Sequence, residues 1–131
     1  MVGVLSRAEC FSLLAAATVG RVALSVRALP AIVPVVCGLH GDDVVVRALA
    51  DARVSAAMVG TVVAFQTDAL DAAGETAWTV QVVGRCDPIE DPATIDEIAR
   101  LWRGRPVAGT EGALARIVPH EVSGVRFPST G

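Results

Sequence analysis

The chain has 131 residues, of which 53% are hydrophobic and 19% charged, and its formal net charge is −3. That balance excludes a disordered polypeptide, and the length suits one domain over residues 1–131 that buries about two thirds of its unfolded surface. An acidic chain exerts no general attraction on nucleic acid or anionic membranes, and the large apolar fraction leaves surface for self-association. All eleven basic residues are Arg, with no Lys, Asn or Tyr, which reads as coding bias and carries no functional weight.

Cys10, Cys37 and Cys86 are odd in number and scattered, so neither a disulfide framework nor a zinc site is expected, and a reducing cytoplasm fits. The opening residues MVGVLSRAEC lack the basic and apolar regions of a signal peptide. No apolar stretch approaches the roughly 18 residues of a membrane span, and the longest are interrupted by Pro30 and Pro34.

Ser6 and Glu9 have capping-box spacing, which predicts a helix from Arg7 to about Ala17. From Gly20 the period changes to two, predicting a strand to Val26 with Val22, Leu24 and Val26 on one face. A turn at Ala28 to Pro30 leads to a second strand, Ala31 to Leu39, in which Pro34 argues for a bulge or edge position. Gly41-Asp42-Asp43 is hairpin-turn chemistry, and Val44 to Ala48 returns as a third strand. Asp51 is placed to cap a short helix over Ala52 to Met58, closed by Gly60. Strands follow at Thr61 to Thr67 and Ala77 to Arg85, joined by a loop. Asp91-Pro92 starts a helix to about Trp102, and a Gly- and Arg-rich loop leads to a last strand region, Leu114 to Phe127, interrupted at Pro119. The expected class is mainly β (α+β), with six or more antiparallel strands in a barrel and small helices at its periphery.

The familiar catalytic constellations are missing. No glycine loop has phosphate-binding spacing, and no serine sits in a nucleophile elbow. His40 and His120 fall in predicted turns and read as surface residues; Cys37 and Trp78 read as core. The acidic group Asp87, Glu90, Asp91, Asp96 and Glu97 reads as helix capping and a solvated face. No catalytic residue and no metal ligand is assigned. The stretch Val44 to Met58 is the exception: Arg47 at a strand end and Arg53 at a helix start could hold a phosphate or carboxylate through their planar, always-charged donor forks.

Several segments, in order, resemble the split-barrel flavin-binding proteins related to pyridoxamine 5′-phosphate oxidase, in particular the short actinobacterial branch. They are Gly20–Val26, Leu29–Val35, Val44–Arg47, Val63–Asp68, Trp78–Gly84 and Arg116–Phe127. The resemblance implies a split-barrel homodimer that holds FMN, or the related deazaflavin coenzyme, in a groove between subunits. It implies oxidoreductase chemistry on an unknown small molecule, with hydride moving to or from the cofactor ring. Arg47 and Arg53 would meet the phosphate, with Ser55 nearby, and the backbone of Val33, Pro34 and Val35 would lie along the ring. Ala48 stands where the family usually carries a hydroxyl residue, and Asp51-Ala52-Arg53 replaces a Gly-Thr-Lys-like run. Those departures define the alternative, a binding or interaction module of this fold with little or no cofactor. A haem-binding variant using His40 or His120 is a third reading.

Overall fold

The computed structural model describes residues 3–49, 56–105 and 112–128. In chain order these form β1 (Gly3–Val4), α1 (Arg7–Ala16), β2 (Val19–Val26), β3 (Leu29–His40), β4 (Asp43–Ala48), β5 (Val62–Leu70), β6 (Thr76–Pro88), α2 (Pro92–Leu101) and β7 (Leu114–Pro128). The sheet order is β1-β7-β4-β3-β2-β5-β6, and β6 also pairs with β7. Six antiparallel strands therefore close into a barrel, with β1 added to the far end of β7. Closure removes the free edges that an open sheet would expose.

Alternation decides which side chains fill the barrel. Val22, Leu24, Val33, Val35, Cys37, Val44, Val46, Val63, Phe65, Val80, Val82 and Ile117 form one buried cluster, and Cys10 and Leu14 of α1 join it. The capping box predicted at Ser6 is present: the Glu9 amide donates to Ser6 Oγ at 3.1 Å, and the Ser6 amide to Glu9 Oε1 at 2.9 Å. A second cluster lies outside the barrel, where Ile89, Ile98 and Trp102 cover Val36 of β3 and Val45 of β4. Helix α2 is set there by its start, where Asp91 accepts from the Thr94 amide and Pro92 opens the first turn.

The sequence reading and the structure differ at the strand ends. Strands β5 and β6 run several residues past the predicted limits, and β1 was not anticipated. The last strand is continuous through Pro119 because a bulge absorbs the proline. Val83 pairs with Glu121 and Gly84 with Pro119, which leaves His120 as the extra residue. A Cβ at Gly84 would collide with the Val118 carbonyl, so the close approach there requires glycine. His40 and His120 accordingly lie in β3 and β7 and not in turns. Pro34 sits at neither a bulge nor a sheet edge: β3 lies between β2 and β4, and Pro34 pairs with Arg21 in unbroken register. Its carbonyl accepts from the Leu49 amide at 2.9 Å, where the β3–β4 ladder begins.

The β2–β3 hairpin turns on two residues, Arg27 (φ 51°) and Ala28 (φ 64°), tighter than the predicted Ala28 to Pro30. Left-handed backbone suits the hairpin twist but costs a residue with a Cβ roughly 1–2 kcal/mol. Ala28→Gly should therefore raise unfolding stability by about 1 kcal/mol in urea titration.

Candidate functional site

Strand β4 alternates strictly. Val44 and Val46 enter the barrel, whereas Val45 belongs to the cluster under α2. Arg47 follows Val45 onto the outer face, where its guanidinium carbon lies 5.6 Å from the centre of a Trp102 ring. Across the ladder Arg47 pairs with Val36, so Pro34, two residues earlier on β3, is its diagonal neighbour on the same face.

The side chains of Val33 and Val35 point the other way, into the core, at 1% and 0% exposure. Ala48 is partly buried and packs against the same core. The structure thus brings Pro34 and Arg47 onto one outer surface and leaves Val33 and Val35 only their backbones to offer beside it. Arg53 and Ser55 lie outside the described residues, as does the predicted cap Asp51; residues 56–58 are helical.

Beside Pro34 an open groove of about 410 Å³ runs over β2, β3 and β5, lined by Val19, Gly20, Arg21, Ile32, Pro34 and Asp68. Arg21 Nη2 donates to Asp68 Oδ2 at 3.1 Å. Apolar walls with one polar pair suit a planar ligand carrying hydrogen-bonding edges. Gly20 keeps the inner side of β2 clear, since a Cβ there would meet the Phe65 ring at 2.7 Å.

Sequence reasoning passed over Arg21, Asp68, Trp102 and Arg105. The pair Arg21–Asp68 could have been sought as outward residues on strands of matching period; the Trp102 contacts left no local signal. Arg105 donates from Nη2 to the carbonyls of Ala17 (2.7 Å) and Cys37 (2.6 Å), with its guanidinium carbon 5.4 Å from a Trp102 ring centre.

The imidazoles stand elsewhere. His40 Nε2 is 3.4 Å from Glu97 Oε1, and His120 lines a separate groove of about 490 Å³ with Val62, Arg85, Asp87 and Pro119. Among the described residues no helix is long and apolar enough to cross a membrane.

The family model for pyridoxamine 5′-phosphate oxidase matches residues 6–126, and the chain belongs to that family. It is 35% identical over 128 residues to Rv0080 of Mycobacterium tuberculosis, covering 94% of this chain and 84% of that protein. Among solved structures it is similar to the FAD binding protein from Mycobacterium smegmatis. The TM-score there is 0.77 at 26% identity, over 95% of this chain and 98% of the other. An FAD-binding protein from Mesorhizobium loti shares the fold, with a TM-score of 0.71 at 21% identity over 97% and 99% of the two chains.

All three thiols are free and buried, and burial pushes those of Cys37 and Cys86 up to about 11. Because the thiolate is the reactive form, a disulfide reagent at pH 8 should label none of them in the native protein and all three after unfolding. With the folded value raised, their contribution to stability is complete below the unfolded pKa of about 8.5 and declines as pH rises toward the folded one.

Proposed function

We propose that the protein binds a flavin-type nucleotide on the outer face of β3 and β4 and serves as an oxidoreductase of the cytoplasm. The observation that carries this reading is Arg47, an always-charged donor fork held partly buried at the end of β4 beside Pro34 and the adjoining groove. The phosphate falls to Arg47, with Arg53 and Ser55 completing its surroundings from the segment that leads into residues 56–58. The ring lies along the backbone of Val33 to Val35, with Pro34 and Ile32 as its apolar support. A bound flavin supplies hydride or electron transfer; the chain's own residues bind, orient and shield it. This division of labour suits a sequence with no acid–base dyad.

The groove is open in a single chain, and Ile32 and Leu29 beside it are both 70% exposed. A second copy covering that face would bury them and exclude water from the ring, which supports a homodimer. Family membership and the FAD-binding neighbour from Mycobacterium smegmatis support the flavin class. FMN is the smallest ligand that provides both ring and phosphate, and FAD and the deazaflavin coenzyme share the phosphate chemistry.

The cofactor-poor alternative draws on Ala48, which presents no donor and packs its methyl against the core. Titration decides between the two. Purified protein should bind FMN saturably, and Arg47→Ala should weaken binding about 10- to 100-fold, the value of a charge-assisted hydrogen bond or two. Wild-type protein that binds neither FMN, FAD nor the deazaflavin coenzyme would establish the alternative.

A further inference from the structure

A long arginine side chain on the outside of a barrel samples many rotamers, and fixing it costs up to about 2 kcal/mol of entropy that phosphate binding must offset. In this chain a neighbouring element supplies the order. Trp102 ends α2, with its backbone amide donating to the Ile98 carbonyl at 2.9 Å, and it is only 5% exposed. Arg47 and Arg105 each place a guanidinium carbon over the indole, at 5.6 and 5.4 Å from ring centres. Arg105 is itself fastened to the barrel through the Ala17 and Cys37 carbonyls. Room for this assembly comes from Gly38 on the outer face of β3. A Cβ there would lie 2.8 Å from Trp102 Nε1 and 2.7 Å from Arg105 Nη1.

The geometry points to Trp102 as the positioning residue for Arg47, an inference that rests on the phosphate role proposed above for that arginine. A cation held over an aromatic face is attracted by the ring quadrupole and spends no N–H donor on the contact. The indole thereby orders the guanidinium through its ring face. Asp91 and Pro92 enter the same chain of dependence, because they fix where α2 begins and hence where Trp102 comes to rest.

The test compares FMN with riboflavin, which has the same ring and no phosphate, by equilibrium titration. Trp102→Leu should weaken FMN about 5- to 10-fold and leave riboflavin unchanged, whereas Trp102→Phe, which retains an aromatic face, should stay within about twofold of wild type. Gly38→Ala, which displaces the indole, should behave as Trp102→Leu does. Equal weakening of FMN and riboflavin in Trp102→Leu would reduce the residue to a structural role and overturn the inference. If Arg47→Ala loses FMN and Trp102→Leu does not, the positioning role falls and the phosphate role stands. If Arg47→Ala binds FMN as wild type does, the phosphate role falls first.

Should Trp102→Leu fail to fold, a Trp78→Phe protein leaves Trp102 as the sole tryptophan and inorganic phosphate as the probe. Its emission should change saturably with phosphate, and the change should vanish when Arg47→Ala is added. No change at any phosphate concentration reached would overturn the inference.

Discussion

The period of two along β3 and β4, locked by their ladder, is the constraint on which the rest of the structure depends. Cys37 pairs with Val46 and Val36 with Arg47, so the two strands present matched faces. Val35, Cys37, Val44 and Val46 are withdrawn into the barrel, and Pro34, Val36, Gly38, Val45 and Arg47 are left outside. A slip of β4 by one residue would turn Arg47 inward and Val44 and Val46 outward. The hydrophobic filling of the barrel therefore fixes the direction of Arg47 as firmly as any contact Arg47 itself makes.

On that outer face α2 does two jobs. It covers Val36 and Val45 with Ile98 and Trp102, continuing the core outside the barrel. It also delivers an indole to two arginines, one of which grips the carbonyls of Ala17 and Cys37. Helix, strand and the end of α1 are thus tied together beside the proposed phosphate position. The positive charge of Arg105 is held there by a ring contact and two backbone acceptors.

Much of the fold was readable because its signals are local. The Ser6–Glu9 box, the Asp91-Pro92 helix start, the Gly41 hairpin and the alternation of Val22 and Leu24 each act within a few residues, and each was found where expected. Pro119 misled for a physical reason: a missing N–H reads as a strand break, but a bulge removes the need for that donor. The surroundings of the site were less legible. Arg47 stood out by residue type, and the resemblance gave it a role. Its indole partner comes from a helix far along the chain, and the Arg21–Asp68 pair spans 47 residues. Contacts of that kind are set by tertiary packing and leave no spacing to detect. Nothing in the sequence marked Gly38 as more than a strand glycine, yet it is the residue whose absent Cβ admits Trp102 and Arg105.

The central claim is that the outer face of β3 and β4 holds a flavin nucleotide by its phosphate. A crystal structure of the protein grown with FMN tests it most directly. The account predicts the phosphate within hydrogen-bond distance of the Arg47 guanidinium and the ring along Val33 to Val35 beside Pro34, with a second chain closing the groove. A phosphate bound away from Arg47, or a ring seated in the groove lined by His120, would contradict it.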